Sequence, residues 1–556
     1  MNKVVADALT LVYKFLMPLC SKFNPALIER GLLSIAGEDA FDFSSQLMPL
    51  GSYEKVQSTL ARLNERESIR KNKGVYYTPT DVVDFIVANT IKASLGVLTP
   101  ENIHSLDLAS EFDEDFCLKK TVFEPTCGAG EFLLATLEQK LKLWRRNHFE
   151  ATKEDIECIV GTFYGNDINI DSVIISKLRL FLCVAHRYGV DYCVDLPNIL
   201  NRNFTTNDYV VSPPTNNEDY DMIVGNPPYV EDNKSGLELT ERYGNIYANV
   251  LLNAASHLKV GGSMGFIIPI SYSSTPRMKK LRDKLLGIVE EQFILCYADR
   301  PDCLFDSVHQ KLCILICRNT NKSQQVYTGN YQYWYQKERD RLFSNTQVVL
   351  NPFSRDDCIP KLGTSLDLSI FQKVIDQANP TVFSTSRVGT HSVYVNRREA
   401  FWIKAFRREI IHPEFKVFSY PTKEQADYCY CLVNSSLFWW YWISVSDCWH
   451  VSRELNGFRM PIINDASQFS ELADALDMRL EATKKYVGTK QTEYEYKHRA
   501  CLNTMQERFL NAHSLKIATE SRSIQGNYFC RGMYMLQSLP KGVFISCRSA
   551  FQTSLF

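Results

Sequence analysis

The chain has 556 residues, of which 45% are hydrophobic and 22% charged, which is typical of globular domains and excludes a disordered chain. Lys and Arg number 62 against 63 for Asp and Glu, so the formal net charge is -1 and any nucleic-acid surface must be a local patch. The 17 cysteines are scattered and form no C-x-x-C pair, which excludes a disulfide scaffold and a zinc ribbon and favours a reducing cytoplasm.

Two segments are apolar enough to be weighed as targeting or membrane sequences. Residues 1–25 lack the charged, apolar and small-residue order of a signal peptide, so we do not expect secretion. The most apolar window, 429–445, is interrupted at 434–436 and is shorter than the roughly 20 apolar residues that a membrane span needs. We interpret it as buried core and expect a cytoplasmic protein without membrane contact.

The predicted elements change character near residue 70. Residues 1–70 have helix-like apolar spacing, for example Val56, Leu60 and Leu63, and predict a helical N-terminal segment. From 71 to 325, short apolar runs alternate with amphipathic segments, which predicts an α/β domain. The predicted strands are 121–123, 162–164, 220–224, 264–268, 293–297 and 312–317. The predicted helices are 81–95, 130–144, 171–185, 246–258 and 277–289.

The end of this domain and the segments after it complete the predicted organisation. The loop between the last two strands is too short for a crossover helix, so we expect those strands to pair antiparallel at the end of a parallel sheet. Residues 326–500 lose the alternation and are rich in aromatic residues, which predicts a second domain. Within it, 387–416 contains seven basic and three acidic residues, a local excess of positive charge. No role is predicted for the tail, 501–556.

The first motif with chemical content is the segment 121–132, TVFEPTCGAGEF. An apolar strand ends in an acidic residue and runs through a turn of small residues into a helix. Such a turn lets a ligand approach the backbone and the helix N-terminus, although an ordinary strand-to-helix turn has the same pattern. A nicotinamide dinucleotide is disfavoured, because Leu133 replaces the third glycine of that fingerprint and the next acidic strand end is Asp167.

Asp167 follows the second predicted strand. A carboxylate at the carboxyl end of such a strand can bind both hydroxyls of a ribose. The same residue also fits a cap for the helix predicted at 171–185. The residue pattern alone leaves both interpretations open.

The second motif is the segment 220–229, YDMIVGNPPY, in which a strand runs directly into Asn226, two prolines and Tyr229. The prolines stiffen the turn and leave the Pro227 carbonyl without a local amide partner. Asn226 and this carbonyl can accept both hydrogens of a planar amine, while Tyr229 offers a ring on which a base can stack. A proline-rich strand exit with a packed tyrosine is the alternative interpretation.

A third segment, VSPPT at 211–215, is similar to the S-P-P-Y motif of methyltransferases that act on the cytosine amine. Its last residue is Thr215, which offers no stacking ring. We therefore interpret this segment as a loop that precedes the strand 220–224.

Together these motifs resemble those of N6-adenine-specific DNA methyltransferases of bacterial type II restriction–modification systems, in the gamma order that puts cofactor motifs before target recognition. The resemblance covers about 70–460. It adds KGVYYTP at 73–79 and GNDIN at 165–169 as further cofactor motifs. The segments LVNSSLF at 432–438 and SDCWH at 446–450 look like the end of a target-recognition domain.

This resemblance implies a fold, a reaction and partners. The implied fold is a Rossmann-like S-adenosylmethionine-dependent methyltransferase sheet with a terminal antiparallel hairpin, plus a C-terminal target-recognition domain. The implied reaction transfers a methyl group from S-adenosylmethionine to the N6 amine of an adenine flipped out of duplex DNA. The implied partners are double-stranded DNA and a cognate restriction endonuclease, and no metal is required.

The resemblance also implies roles for residues at the matching positions, with Asn203 standing where the family usually has Asp. The implied cofactor-binding residues are Tyr77, Thr78, Pro79, Glu124, Thr126, Cys127, Gly128, Gly130, Asp167, Ile168, Asn203 and Phe204. The implied catalytic residues are Asn226, Pro227, Pro228 and Tyr229, and the implied base-stacking rings are those of Tyr229 and Phe305. The residues expected to bind DNA are Arg397, Arg398, Lys404, Arg407, Arg408 and His450.

Three other functions are weighed against this one. A methyltransferase for rRNA or for a protein glutamine uses a similar Asn-Pro-Pro-Tyr turn, but it seldom carries so long a segment after the hairpin. A combined nuclease and methyltransferase is disfavoured, because no convincing D…E-x-K pattern precedes 73–79. A non-catalytic DNA-binding or specificity subunit is disfavoured by the intact motifs at 121–132 and 220–229.

Overall fold

The computed structural model describes the chain from residue 2 to residue 494 with internal gaps, and the tail 501–556 lies outside the described residues. The described ranges are 2–20, 25–43, 51–63, 77–108, 113–148, 150–213, 219–305, 309–353, 356–376, 381–384, 389–397, 405–460, 466–482, 484–486 and 492–494. The chain divides into two compact units. Unit 1 consists of Met1–Asp299, Cys303–Gly329 and Lys337–Pro352, and unit 2 of Arg300–Asp302, Asn330–Gln336 and Phe353–Phe556.

A nine-stranded sheet of described residues forms the centre of unit 1, in the order β3-β2-β1-β4-β5-β7-β6-β8-β9. Its strands are β1 Val122–Glu124, β2 Phe163–Asn166, β3 Phe204–Thr205, β4 Tyr220–Gly225, β5 Leu258–Pro269, β6 Glu291–Tyr297, β7 Leu312–Arg318, β8 Gln325–Gly329 and β9 Val348–Leu350. Strands β1 to β5 are parallel, whereas β7 lies antiparallel between β5 and β6. The predicted α/β fold with an antiparallel hairpin is therefore confirmed.

Helices cover this sheet and the N-terminal part of unit 1. They are α1 Lys3–Leu16, α2 Pro25–Ala36, α3 Tyr53–Arg62, α4 Thr80–Leu95, α5 Glu114–Leu118, α6 Glu131–Asn147, α7 Lys153–Gly161, α8 Ile170–Tyr188, α9 Leu196–Asn203, α10 Tyr247–Ser256, α11 Ser271–Ser274 and α12 Lys279–Leu286. Across both units, short 3-10 turns lie at Met17–Cys20, Val190–Cys193, Pro276–Met278, Gln336–Arg341 and Ser467–Phe469. Helices α1 to α3 pack against α8, so the N-terminal segment belongs to unit 1.

Helix α4 lies unusually close to β5. A Cβ atom at Gly265 would stand 1.9 Å from Thr90 Oγ1, so only glycine permits this approach. The Ser263 hydroxyl donates to the Thr90 carbonyl at 2.8 Å and fixes the helix on the strand. The start of α4, and the residues just before it, are thereby held at a defined place on the sheet.

The sheet extends further than the sequence pattern predicts. Strand β3 has two residues, too few for a visible alternation, and β8 and β9 follow the point where the predicted domain ends. Strand β5 starts at Leu258, which the sequence pattern assigns to the end of a helix, because α10 already stops at Ser256.

Unit 2 contains a three-stranded antiparallel sheet in the order β11-β10-β12 and a separate two-stranded ladder. The strands are β10 His391–Asn396, β11 Ala405–Phe406, β12 Phe415–Tyr420, β13 Lys484–Tyr486 and β14 Thr492–Tyr494. The helices are α13 Ser365–Ile375, α14 Lys423–Val433, α15 Ser436–Val445, α16 Ser452–Gly457 and α17 Ser470–Ala482.

The apolar window 429–445 forms the end of α14 and all of α15. Asn434 separates the two helices by donating to the carbonyls of Ala405 and Tyr430, and Ser435 caps α15 by accepting from the Phe438 amide. Its large side chains, such as Trp442, are buried. Among the helices of the described ranges, none is both long and apolar enough to cross a membrane.

Candidate active site

A cavity of about 330 Å³ opens at the carboxyl ends of β1, β2, β3 and β4. Parallel strands end at the same edge of a sheet, so the segments that leave these four strands meet there. Each of them contributes lining residues, and so do the end of α3 and the loop before α10. The lining residues are Ala61, Tyr77, Thr78, Glu124, Thr126–Ala129, Glu131, Phe132, Asn166–Ile168, Ser172, Asn207–Val210, Asn226, Pro228, Val230, Lys234, Ser235, Leu237 and Ile246.

The turn after β1 has the shape that its glycines allow. Gly128 and Gly130 have φ angles of 51° and 76°, in the left-handed region that favours glycine. A Cβ atom at Gly130 would lie 2.2 Å from Ser176 Oγ, so the turn also needs the absence of a side chain there. Helix α6 begins directly after Gly130, and its N-terminus faces the cavity side of the turn.

One buried amide fixes three of the cavity segments. Asn166 at the end of β2 donates to the Pro125 and Asn207 carbonyls, at 3.0 Å each. Its side-chain oxygen accepts from Thr205 Oγ1 at 2.9 Å and from the Asn207 amide at 3.1 Å. Because all of these bonds are buried or half-buried, the segments after β1, β2 and β3 are held in one arrangement.

Two carboxyl groups stand at this edge in different environments. Glu124 at the end of β1 is 2% exposed and accepts from the Leu133 amide at 3.3 Å. Burial raises its pKa well above the ordinary value, and the negative charges of Glu131 and Asp167 add to that effect. Asp167 is half-buried and accepts from the amides of Gly128 at 2.9 Å and Asn169 at 2.8 Å. Asp167 therefore ties the turn after β1 to the end of β2.

The two most distant motifs of the site meet directly. Asn226 Nδ2 donates to Thr78 Oγ1 at 3.1 Å, which fixes the plane of the Asn226 carboxamide at the cavity wall. Thr78 is 3% exposed and precedes Pro79, the cap residue of α4. Pro227 is buried behind the wall and Pro228 lines the cavity.

The two predicted stacking rings lie outside the set of lining residues. Tyr229 donates its hydroxyl to the Ile267 carbonyl of β5 at 2.7 Å, and its ring meets Tyr247 edge-on at 6.5 Å. Phe305 is 1% exposed, so its ring is buried in this conformation. The stacking role of both rings stays a prediction.

The structure separates Asn203 and Phe204 from the cavity. Asn203 donates to the carbonyls of Gly161 at 2.9 Å and Phe163 at 3.1 Å, and Phe204 packs on Gly165, whose Cβ would lie 2.4 Å from the ring. Both residues precede the carboxyl end of β3, whereas the cavity lies beyond it. The acidic and aromatic pair at that place is Asp208 and Tyr209, which the sequence analysis missed although it has the same pattern.

A loop from 230 to 246 forms another part of the wall that the sequence analysis missed. Its neck is closed by the Ile246 amide, which donates to the Val230 carbonyl at 2.9 Å. Asp232 is 6% exposed and accepts from the amides of Tyr243 and Gly244. The loop carries Lys234 to the cavity, where its side chain is 70% exposed and pairs with Glu231.

The N-terminal helices support the glycine turn through a buried arginine. Arg179 of α8 is 2% exposed and donates to the Ala129 carbonyl and to Glu131 Oε1, each at 2.8 Å. Its Nε also donates to Gln57 of α3 at 3.0 Å. This contact explains why α3 reaches the cavity with Ala61.

The residues predicted to bind DNA fall into separate groups. Arg398 and Lys404 lie outside the described residues. Arg397 and His450 are exposed, and Arg397 Nε donates to Ser452 Oγ at 3.0 Å. Arg408 pairs with Glu481 at 3.2 Å on the surface.

Arg407 is the centre of a group of ion pairs. Its guanidinium pairs with Asp427 at 2.9 Å, Asp474 at 2.7 Å and Asp477 at 3.2 Å. These carboxylates come from α14 and α17, outside the window 387–416 in which the positive charge was counted. Arg407 is therefore an ion-pair centre inside unit 2, and its contact with DNA stays a prediction.

Over the described ranges, no group of three or more His, Cys, Asp or Glu side chains is placed to hold a metal ion. The sheet order, the glycine turn after β1 and the Asn-Pro-Pro-Tyr turn after β4 define a Rossmann-like methyltransferase fold, as predicted. The chain belongs to the N-6 DNA methylase family, whose model matches residues 53–354. The predicted membership of a DNA methylase family is thus confirmed.

Individual relatives match only parts of their own lengths. A putative type II restriction enzyme and methyltransferase of Methanocaldococcus jannaschii is 28% identical over 180 residues, covering 26% of this chain and 15% of that protein. A type II methyltransferase of Pseudomonas aeruginosa is 24% identical over 241 residues, covering 41% of this chain and 37% of that protein. The matched part therefore spans less than half the length of either relative.

One solved structure resembles the whole chain. The type IIL restriction–modification enzyme MmeI in complex with DNA aligns over 96% of this chain and 99% of that chain, with a TM-score of 0.50. The sequence identity is 11%, so this likeness is one of fold alone.

Proposed function

We propose that the chain is a site-specific DNA methyltransferase that transfers the methyl group of S-adenosylmethionine to the N6 amine of adenine in duplex DNA, within a restriction–modification system. The observation that carries this proposal is the hydrogen bond of 3.1 Å between Thr78 and Asn226. It joins the cofactor motif and the amine-binding turn at one cavity, which also contains Glu124 and Asp167.

The cavity contains a buried hydroxyl that suits a bound cofactor. Among the described residues, the buried Thr126 hydroxyl has no hydrogen-bond partner, as expected of a group that awaits a ligand. Thr78, Glu124 and Thr126 would hold the methionine part, and the Asp167 carboxylate would bind the ribose. When bound, S-adenosylmethionine supplies an electrophilic methyl group on its sulfonium.

The rim of the cavity suits the adenine of the cofactor. Ile168 lines the cavity and is 63% exposed, so it offers an apolar surface that a planar ring would cover. Asp208, half-buried at the same edge, would accept from the adenine amine. Phe204 and Asn203 would support this pocket from behind through β3.

The turn after β4 is suited to activate the target amine. The Asn226 side-chain oxygen and the Pro227 carbonyl would accept the two hydrogens of the adenine N6 amine, which draws its lone pair out of the ring system. The Thr78 hydrogen bond fixes the plane of the Asn226 carboxamide before the target amine arrives. Asn226 and Pro227 would thereby leave the lone pair of the amine nitrogen available as a nucleophile for the methyl group that the cofactor supplies.

The target adenine must leave the duplex to reach this turn, at a cost of a few kcal/mol. Stacking on an aromatic ring recovers about 1–3 kcal/mol per base. Tyr229 and Phe305 are the rings proposed for this role, and Phe305 would first have to become exposed.

A covalent route through Cys127 is disfavoured. The thiol is 3% exposed, and burial raises its pKa well above the ordinary value, with further contributions from Asp167 and Glu124. The thiolate that a nucleophile requires is therefore suppressed.

Arg397, Arg408 and His450 are the described candidates for DNA contacts in unit 2. A cognate restriction endonuclease would act on the same DNA sequence.

The proposal is tested by supplying purified protein with methyl-labelled S-adenosylmethionine and, in separate reactions, duplex DNA, structured RNA or a protein mixture. Wild-type protein should label duplex DNA. The Asn226→Ala variant should bind the cofactor but leave the DNA unlabelled. Label in RNA or protein would show that the chain methylates a substrate other than DNA. Absence of cofactor binding would indicate a non-catalytic subunit. Either result would contradict the proposal.

A further inference from the structure

Arg339 connects three separated parts of unit 1. Its guanidinium pairs with both carboxylate oxygens of Asp81, with Nη2 and Oδ1 2.7 Å apart. The same group donates to the Cys303 carbonyl at 3.3 Å and, from both terminal nitrogens, to the Leu304 carbonyl at 3.1 Å. The Arg339 side chain is 21% exposed, so this set of bonds is largely shielded from water.

Arg339 joins the segments that are proposed to bind S-adenosylmethionine and the target adenine. Asp81 lies in the first turn of α4, just after Thr78, whose hydroxyl accepts from Asn226. Leu304 immediately precedes Phe305, the proposed stacking ring. Arg339 is thus bonded on one side to the helix that follows the cofactor motif and on the other side to the backbone that carries the ring.

Helix α4 is held firmly in place, because the Ser263 hydrogen bond and the close approach at Gly265 fix it on β5. A group bonded to its first turn therefore has a rigid support. The Cys303–Phe305 segment belongs to no helix or longer strand, and Phe305 forms a single β-bridge. The Cys303 and Leu304 carbonyls accept three hydrogen bonds from Arg339.

We propose that Arg339 is a positioning residue for methyl transfer. It holds the backbone next to Phe305 in register with the Thr78–Asn226 pair, so that the Phe305 ring, once it has turned out of its buried position, meets the same flipped base as Asn226. This inference rests on the proposed function. Arginine suits the role because its planar fork donates to a carboxylate and to carbonyls at once, which the single ammonium group of lysine cannot do in the same geometry.

The test compares Arg339→Ala and Arg339→Lys with a matched control, Arg187→Ala. Arg187 of α8 is also a partly buried arginine of unit 1, and it pairs with Glu138 at 3.5 Å. Initial rates give kcat and KM for S-adenosylmethionine and for duplex DNA. The fluorescence of 2-aminopurine at the target position reports how far the base leaves the stack, and chemical denaturation reports the free energy of unfolding.

Both Arg339 variants should lower kcat by about 10-fold to 100-fold, as expected of a small misplacement, with KM for S-adenosylmethionine within about 3-fold of wild type. They should also reduce the 2-aminopurine signal. Arg187→Ala should lower the free energy of unfolding to a similar degree with kcat near wild type. If Arg339→Ala and Arg187→Ala lose activity only in proportion to lost folded protein, Arg339 is merely structural and the inference is overturned.

A milder variant keeps the test decisive if Arg339→Ala fails to fold. Asp81→Asn removes the charge of the half-exposed partner and leaves its shape, so it should lower kcat in the same direction by a smaller factor. An unchanged kcat and fluorescence in Asp81→Asn and Arg339→Lys would overturn the inference while the proposed function stands. Wild-type protein that transfers no methyl group to adenine would overturn the proposed function itself.

Discussion

Asn226 and Thr78, 148 positions apart in the sequence, form a hydrogen bond of 3.1 Å at the wall of one cavity. Replacing Thr78 by Val removes the accepting hydroxyl and keeps the side-chain volume. We expect kcat to fall about 10-fold to 100-fold, because a lost hydrogen bond of a buried amide costs about 1–3 kcal/mol. Rates of labelled methyl transfer at saturating cofactor measure this. Thr59→Val, an exposed threonine that bonds within its own helix, is the control, and equal rates in both variants would contradict the prediction.

Glu124 links the cofactor site to the pH dependence of stability. Burial raises its pKa above the ordinary value of 4.5. Between that value and the folded-state pKa, the folded state therefore holds a proton that the unfolded state has lost. The stability that this proton provides is present below pH 4.5 and is lost as pH rises through the folded pKa. Wild-type protein should therefore lose free energy of unfolding over that window.

The Glu124→Gln variant should not show this loss. Its amide stays neutral, so we expect it to be more stable than wild type at alkaline pH and to bind S-adenosylmethionine less tightly. Denaturation curves from pH 4 to pH 9 and calorimetric titration with the cofactor measure both effects. Parallel pH profiles for the two proteins would show that Glu124 does not titrate as described.

Asp232 holds the loop 230–246 at its neck by accepting from two backbone amides. Asp232→Ala should speed the hydrogen exchange of those amides. It should also weaken S-adenosylmethionine binding about 3-fold to 10-fold, because the loop must then be ordered on binding. Asp283→Ala, which breaks an exposed pair with Lys279, is the control and should leave both quantities unchanged. Equal affinities in the two variants would show that the loop does not contribute to the site.

The arginines of unit 2 should separate into a structural and a DNA-binding group. Arg407→Met leaves Asp427, which is 1% exposed, with Lys423 as its remaining cationic partner, so we expect a loss of about 2 kcal/mol in the free energy of unfolding. Arg397→Ala should keep the stability, weaken duplex binding and reduce the slope of log affinity against log salt by about 1. Denaturation and DNA titrations at several salt concentrations measure these effects. A stable Arg407→Met variant with a reduced salt slope would reverse the assignment.

The sequence predicted the part of the site that short motifs determine. The glycine turn, Asp167 and the Asn226 turn each follow a strand with a clear apolar pattern. Because parallel strands end at one edge, their convergence could be expected once the strands were identified. The contact of Thr78 with Asn226 follows from the position of α4 on β5, which depends on Gly265 and was not visible in the motifs.

The rest could not be predicted, for physical reasons that differ from residue to residue. Strand β3 is too short to show a period, so the acidic and aromatic pair beyond it was sought at Asn203 and Phe204 and not at Asp208 and Tyr209. The carboxylates that neutralise Arg407 are distant in the sequence, and a local count of charge does not include them. The burial of Phe305 could not be predicted either, because it depends on contacts with residues that are distant in the sequence.

The most direct test of the central claim is to identify the methylated nucleoside. Duplex DNA treated with wild-type protein and labelled S-adenosylmethionine is digested to nucleosides and analysed by mass spectrometry, with Asn226→Ala in parallel. The account predicts N6-methyladenine in the wild-type reaction and none with Asn226→Ala. Methylcytosine, or N6-methyladenine that persists in the Asn226→Ala reaction, would contradict it.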